Sequence, residues 1–169
     1  MTHPQPDPRV TAALDQLGAS YEMLPCDPEL ADTAAFCAAY GIPMECSANT
    51  IVVASRRPEG QQVACVLLAT TRLDVNGLIR RRMDVKKASF ARAEETAALT
   101  GMMIGGVTPF GLPDVLEVWV DSAVMDLDWV ILGAGSRSAK VKIDPSVLRS
   151  LANVVVVEGL ATPVVPTDP

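Results

Sequence analysis

Residues 100–113 read TGMMIGGVTPFGLP, and this stretch bears most on fold and function. Two adjacent glycines, Gly105 and Gly106, precede Thr108 and Pro109. Glycine has no Cβ, so backbone N–H groups can approach a ligand closely there, while proline holds the loop rigid. We therefore predict that the stretch forms the wall of a small-molecule pocket. The alternative is an ordinary tight connection between a helix and a strand.

Short helices and strands surround this stretch without a regular β-α-β order. The sequence predicts an α+β fold, with a mixed, mostly antiparallel, curved or barrel-like sheet flanked by short helices. The domain is expected at residues 9–160, with disordered tails at residues 1–8 and 161–169. Apolar periodicity and caps predict helices at 9–17, 28–40, 73–81 and 91–100. Strands are predicted at 21–24, 50–55, 63–70, 115–121, 129–132, 139–143 and 153–157.

Two polar patterns have open interpretations. In the strand at 139–143, alternation predicts that Lys140 and Lys142 face outward, with Val141 and Ile143 inward. The segment 133–138 is either a hairpin turn or an anion-binding mouth of the pocket, formed by Gly133, Gly135, Ser136 and Arg137.

Composition and charge narrow the possible partners. The 169 residues fit one domain, and 49% of them are hydrophobic, which is enough apolar material for a core. The net charge of −6 argues against non-specific nucleic-acid binding over the whole surface. A local basic run remains, and it is either a solvated helix face or a phosphate-binding patch: Arg80, Arg81, Arg82, Lys86 and Lys87.

The spacing of histidine and cysteine excludes several kinds of site. The only histidine is His3, and the four cysteines form no Cys-x-x-Cys pair. We therefore expect no metal, no other cofactor and no Ser-His or Cys-His nucleophile. Nothing in the sequence suggests a signal peptide, and its apolar runs are too short to span a bilayer. A cytoplasmic protein without disulfides is the expectation.

The order of several motifs along the chain resembles the order found in a known protein family. A helix ending in Thr100-Gly101 leads into Gly-Gly-Val-Thr-Pro-Phe-Gly, then a strand ending in Asp121 and a Gly-x-Gly-Ser-Arg hairpin. The chain from about Arg9 to Val157 resembles the YbaK/EbsC family of aminoacyl-tRNA deacylases, which is related to the editing domain associated with prolyl-tRNA synthetase.

The resemblance implies that the chain hydrolyses the ester of a mischarged amino acid on tRNA. It implies partners as well, namely the mischarged aminoacyl-tRNA and an aminoacyl-tRNA synthetase. Backbone groups and the substrate's own hydroxyl or side chain would carry the reaction. The matching catalytic positions are Asn49, Gly105, Gly106, Thr108 and Pro109. The substrate-binding positions are Thr50, Val107, Phe110, Gly133, Gly135, Ser136 and Arg137, and the basic run would bind tRNA.

One position departs from the family pattern. Asn49 precedes Thr50 where the family commonly has a lysine, and an amide supplies no positive charge. Arg137 and Lys140 are candidates for the missing charge. Two alternatives to the editing hydrolase stay open: a binding protein that keeps the pocket but not turnover, and a hydrolase of a small-molecule ester. The amino acid, the tRNA and the oligomeric state are not specified by these patterns.

Overall fold

Three helical segments begin at Asp–Pro pairs in the computed structural model, which describes residues 3–164. At each pair the aspartate side chain accepts a hydrogen bond from the backbone N–H two residues later. Proline then occupies the first helical position, where it costs no hydrogen bond. The α-helices are α1 (Pro8–Gln16), α2 (Thr33–Tyr40), α3 (Arg80–Met83), α4 (Ala93–Thr100) and α5 (Ser122–Met125). Helical turns also occur at Pro28–Leu30, Met44–Cys46, Val75–Ile79 and Pro145–Ser150.

The strands form three sheets. Their bounds are β1 (Tyr21–Pro25), β2 (Ala48–Arg57), β3 (Glu59–Leu68), β4 (Thr71–Leu73), β5 (Lys87–Phe90), β6 (Glu117–Asp121), β7 (Val130–Gly133), β8 (Ala139–Ile143), β9 (Val154–Val157) and β10 (Ala161–Pro163). The large sheet has the order β5-β2-β3-β6-β9, and a second sheet has the order β1-β8-β7. A small pair joins β10 to β4. Pairing is antiparallel except for β3–β6 and β6–β9, which confirms the mixed, mostly antiparallel α+β fold.

The two larger sheets enclose the main core. A parallel bridge between Ser47 and Ile131 joins β7 to the residue that precedes β2, so the sheets meet at this edge. Their apolar residues pack into one cluster with Val10 and Leu14 of α1 and with Phe110. A second cluster fills the other face of the large sheet, beneath α3 and β10. The edge where the sheets meet positions the site described below.

Two predictions about local structure are wrong. The helix predicted over 28–40 is two pieces, because Asp32 has an extended backbone, with φ of −64° and ψ of 138°, and begins the second piece as its N-cap. Lys140 does not face outward, since its ammonium is buried between two backbone carbonyls. Sequence alternation could not show this, because those carbonyls belong to distant segments.

Parts of both predicted tails make backbone contacts. Gln5 and Asp7 donate hydrogen bonds to Ser138 and Ala134 of the β7–β8 hairpin. At the other end, Ala161–Pro163 forms β10 against β4. The predicted tail residues 1–2 and 165–169 lie outside the described residues. Within residues 3–164, no helix has both the length and the apolar character needed to cross a bilayer.

Candidate active site

A cavity of about 300 Å³ lies where the two sheets meet. Strand β2 forms one wall, the loop between α4 and β6 forms the second, and β7, β8 and α2 complete it. The lining residues are Asp32, Thr33, Phe36, Ser47, Ala48, Asn49, Thr50, Ile51, Val52, Ala91, Thr96, Ile104, Gly105, Val107, Ile131, Leu132, Gly133 and Lys140. Half of these eighteen residues are apolar and two are glycines, and seven polar or charged side chains lie among them. Small-molecule sites usually combine apolar walls with such polar groups.

Glycines let the two glycine-rich segments pack against each other. A Cβ at Gly133 would collide with the carbonyl oxygen of Val107, and a Cβ at Gly106 would lie 2.6 Å from the carbonyl oxygen of Ser136. The N–H of Gly135 donates to the carbonyl of Gly106 over 2.7 Å. The hairpin at 133–138 therefore supports the loop at 105–107 from behind and fixes its backbone.

Backbone donors of the same loop remain available. The N–H of Gly106 donates to the carbonyl of Met103, which forms a tight turn. The N–H groups of Gly105 and Val107 donate to no acceptor within residues 3–164. Both residues line the cavity. Unused N–H groups in a cavity wall can bind a ligand oxygen.

Strand β2 contributes two polar side chains to the opposite wall. The Asn49 amide is hydrogen-bonded to the hydroxyl of Thr33, which holds it at the cavity surface. The hydroxyl of Thr50 is buried and has no hydrogen-bond partner among the described residues. An unpaired buried hydroxyl costs stability, so a ligand that accepts or donates here would satisfy it.

Lys140 brings a positive charge into the cavity wall. Its side chain is 6% exposed, and Nζ donates to the carbonyls of Ala31 and Gly105, each over 2.7 Å. The ring of Phe36 lies beneath it, with Nζ 5.7 Å from the ring centroid. Burial lowers the pKa of this ammonium below its usual value, because desolvation penalises the charged form.

Arg137 joins the loops beside the cavity mouth. Its guanidinium donates to the carbonyls of Pro28 and Ile104, over 2.9 and 2.7 Å. The same group lies 3.4 Å from the Asp32 carboxylate. A Cβ at Gly105 would collide with this guanidinium, and Gly105 also has a φ of +91°, so both space and backbone favour glycine there.

Comparison with known proteins assigns the family. Residues 27–151 match the model of the aminoacyl-tRNA editing domain, which is most of the chain. The chain belongs to this family. The resemblance to the YbaK-type deacylases is thereby confirmed, since these are editing domains of the same kind.

One sequence relative and two solved structures are similar to this chain. The uncharacterized protein YwhH of Bacillus subtilis (strain 168) is 33% identical over 98 residues, which cover 58% of this chain and 62% of that protein's length. The structure of hypothetical protein APE2540 has a TM-score of 0.80 at 24% identity and covers 91% of this chain and 99% of the other. A candidate trans-editing enzyme for prolyl tRNA synthetase has a TM-score of 0.76 at 22% identity, with 91% and 98% covered.

The editing domain brings some predicted site residues together and separates others. Asn49, Thr50, Gly105, Val107 and Gly133 all line the cavity. The remaining predicted catalytic and substrate-binding residues lie behind the wall or beside it: Gly106, Thr108, Pro109, Phe110, Gly135, Ser136 and Arg137. Their predicted roles in catalysis or substrate binding stay predictions.

The residues behind the wall have clear structural contacts. Phe110 is fully buried in the main core, and Pro109 lines a separate groove beside α1. Ser136 donates through its hydroxyl to the carbonyl of Gln5. The hydroxyl of Thr108 is buried and, like that of Thr50, has no partner in the described part of the chain. Sequence order alone does not separate the two faces of this loop.

The predicted tRNA-binding residues form a surface of their own, which we call the basic surface: Arg80, Arg81, Arg82, Lys86 and Lys87. All are exposed except Arg80, which is half-buried, and the Arg82 guanidinium lies 5.0 Å from the ring centroid of Trp119. Lys87 begins β5, and Ala91, just past the end of that strand, lines the cavity. At roughly 3.3 Å per residue, Lys87 lies about 13 Å along the strand from Ala91 of the cavity lining.

Other titratable groups stand apart from the cavity chemistry. Desolvation raises the pKa of the Cys65 thiol to about 12, and burial also raises the pKa of Cys26. Buried thiols of this kind are poor nucleophiles. Residues 3–164 contain no cluster of three or more histidine, cysteine or acidic side chains able to hold a metal ion.

Proposed function

We propose that the chain is an aminoacyl-tRNA deacylase that hydrolyses the ester between a mischarged amino acid and the 3′ end of tRNA. One observation carries the proposal. In a chain of the editing-domain family, the glycine loop and the Asn49–Thr50 segment face each other across one cavity. The volume of about 300 Å³ lies at the lower end of the range for small-molecule sites, which suits a single amino acid.

The cavity offers donors for the ester carbonyl. Hydrolysis requires water to add to the carbonyl carbon, after which the bond to the ribose oxygen breaks and that oxygen takes up a proton. Negative charge develops on the carbonyl oxygen during the attack. The N–H groups of Gly105 and Val107 are the candidates for stabilising it. Such fixed donors lower a barrier by about 3 kcal/mol each.

The basic surface supports tRNA as the carrier of the ester. Its positive charges begin about 13 Å along β5 from Ala91 of the cavity lining, a distance that the single-stranded 3′ end of tRNA can span. Phe90, which is 51% exposed, lies between Lys87 and Ala91 in the sequence and offers a face on which a base can stack. We further propose that an aminoacyl-tRNA synthetase is a partner, and that the protein works in the cytoplasm, where tRNA is charged.

A panel of mischarged tRNAs tests the proposal directly. Purified protein is incubated with each tRNA, and the remaining ester is measured against a buffer blank. We expect at least one member to lose its amino acid faster than the spontaneous rate. The same assay with Gly105→Val separates cavity chemistry from a contaminating hydrolase, because the new side chain would collide with Arg137. No acceleration for any member would contradict the proposal.

Asn49 favours a second candidate function, a binding protein with weakened turnover. The cavity then binds an aminoacyl-adenosine analogue without hydrolysing the corresponding tRNA, because position 49 supplies an amide rather than the family's lysine. Asn49→Lys decides between the candidates. A gain in hydrolysis in this variant favours the second one, whereas unchanged hydrolysis shows that position 49 does not limit turnover.

A further inference from the structure

The ammonium of Lys140 has no counter-ion. No carboxylate within residues 3–164 forms an ion pair with it, and its two partners are neutral carbonyls. Asp32 is the only carboxylate in the cavity lining, but it is 72% exposed and contacts Arg137. The nearby Cys26 thiol cannot serve either, because burial raises its pKa. A buried cation without a counter-ion is costly, and an anionic ligand would remove that cost.

Lys140 is a buried residue of the cavity lining, only 6% exposed. Its neighbours Ala31 and Phe36 are almost completely buried, whereas Asp32 and Ile104 at the rim are exposed. A tRNA is large and polyanionic, so its phosphates stay at the mouth and only the aminoacyl group can reach this depth. The partner of Lys140 is therefore the side chain of the amino acid rather than a phosphate.

A second polar group in the cavity lining also lacks a partner. The hydroxyl of Thr50 is more than nine-tenths buried, and no described group bonds to it. The ammonium needs an acceptor, and the hydroxyl can donate to an oxygen. A carboxylate has two oxygens and accepts from both kinds of donor, with strong charge-assisted hydrogen bonds.

We propose that Lys140 determines specificity, and that the cavity recognises an amino acid with a side-chain carboxylate, aspartate or glutamate, with help from Thr50. The inference rests on the proposed function, because it assumes that an aminoacyl group enters the cavity. The hydrogen bonds from Lys140 to the carbonyls of Ala31 and Gly105 do not by themselves require a charged donor, since a neutral donor could also make them. The charge is what selects an anion.

Binding of stable analogues tests the inference without turnover. Amide-linked aspartyl- and asparaginyl-adenosine have nearly the same shape and differ in charge, and glutamyl- and glutaminyl-adenosine form a second pair. Calorimetry on the full chain gives the dissociation constants. We expect the acidic member of at least one pair to bind on the order of 10- to 100-fold more tightly than its neutral amide. Equal binding, or tighter binding of the amide, in both pairs would overturn the inference.

A matched pair of variants assigns the preference to Lys140. Lys140→Met keeps an unbranched side chain of nearly the same length and removes its charge, so it should remove the preference. Lys142→Met is the control, because that lysine lies on the same strand but its ammonium is 4.4 Å from the ring centroid of Trp129, and Lys142 does not line the cavity. A preference that survives Lys140→Met would overturn the assignment. If Lys140→Met does not fold, the wild-type comparison still decides.

The deacylase function and the carboxylate specificity can be contradicted independently of each other. Hydrolysis of a mischarged tRNA without preference for acidic over amide analogues leaves the deacylase and overturns this inference. Preferential binding of an acidic analogue without hydrolysis of any mischarged tRNA has the opposite meaning. It supports the carboxylate specificity and contradicts the deacylase.

Discussion

The cavity and the basic surface both carry positive charge, but they hold it in opposite environments. Lys140 has a single buried ammonium fixed by two carbonyls. The basic surface spreads its charges over α3 and the start of β5, where water and salt reach them. A buried charge acts over short range and depends on geometry, whereas exposed charges act together and are screened. The first suits the selection of an amino acid, and the second suits the attraction of a polyanion.

The largest effect is expected from a change in the cavity wall. Gly133→Ala would add a Cβ against the carbonyl of Val107, so the loop at 105–107 must shift. We expect a loss of about 1–3 kcal/mol in the free energy of unfolding, as for other overpacked sites, together with loss of analogue binding. Denaturant unfolding and calorimetry measure the two effects.

Gly159→Ala is the control for that change. Its φ of +71° strains alanine, but no described atom beyond the two adjoining residues lies within 4 Å of the new Cβ. It should cost about 1 kcal/mol of stability and leave binding unchanged. If Gly133→Ala binds the analogue as tightly as the wild type, the wall is not as rigid as its contacts indicate.

Substitution of two threonines tests whether analogue binding depends on the cavity lining or on the residues behind it. Thr50→Val and Thr108→Val each remove a buried hydroxyl without a partner, so each should raise the free energy of unfolding by about 1 kcal/mol. Only Thr50 lines the cavity. We therefore expect weaker analogue binding in Thr50→Val alone. Weaker binding in Thr108→Val as well would support the predicted catalytic role of Thr108.

Binding of tRNA to the basic surface should depend on the salt concentration rather than on the fit of a ligand to a rigid wall. Lys86→Ala and Lys87→Ala should each weaken tRNA binding and lower the slope of log affinity against log salt by about one. Arg149→Ala removes an exposed cation on a different segment, in the helical turn before β9, and should leave that slope unchanged. Titrations at several salt concentrations provide the test. Slopes equal to the wild type in both lysine variants would exclude these residues from phosphate contact.

The smallest effect is expected at a half-buried ion pair, Arg56–Glu95, near the basic surface. The hydrogen bond from Arg56 holds the pKa of Glu95 at about 2, below its ordinary value of 4.5. Because the folded pKa is the lower one, the stabilisation is complete above pH 4.5 and is lost as the pH falls through about 2. The stability difference between wild type and Glu95→Gln should therefore narrow over that window in denaturant unfolding.

Glu94→Gln is the control for the ion pair. Glu94 is exposed on the same helix and makes no ion pair with any residue of the described chain. Its replacement should change stability little at any pH. A Glu95→Gln variant that behaves like Glu94→Gln at pH 7 would show that solvent screens the Arg56–Glu95 pair completely.

Local patterns in the sequence predict the elements better than they predict contacts between elements. The β2–β3 pair follows from two β-rich runs separated by a short Pro- and Gly-containing segment. Caps at Asp74 and Gly101 mark helix ends as expected. The parallel pairing of β3 with β6 depends on residues more than fifty positions apart, and no local pattern encodes it.

In the site, too, the sequence predicts single residues better than it predicts contacts between distant segments. Gly105 and Asn49 are recognisable from their motifs, and both line the cavity. Alternation predicts that Lys140 faces outward, because a lysine counts as a polar residue in the strand pattern. Its burial depends on the carbonyls of Ala31 and Gly105, 109 and 35 residues away. The glycines also had a function that composition cannot reveal, because Gly106 and Gly133 allow two loops to touch.

The cavity draws its lining from segments spread between Asp32 and Lys140. Contacts between residues so far apart in sequence close large loops, and such contacts form slowly in folding. The β2–β3 hairpin can form from local residues, whereas the cavity needs the hairpin at 133–138 to reach the loop at 105–107. We therefore expect the binding site to appear late in folding. During synthesis, a nascent chain would have most of its large sheet before it had any place to bind a substrate.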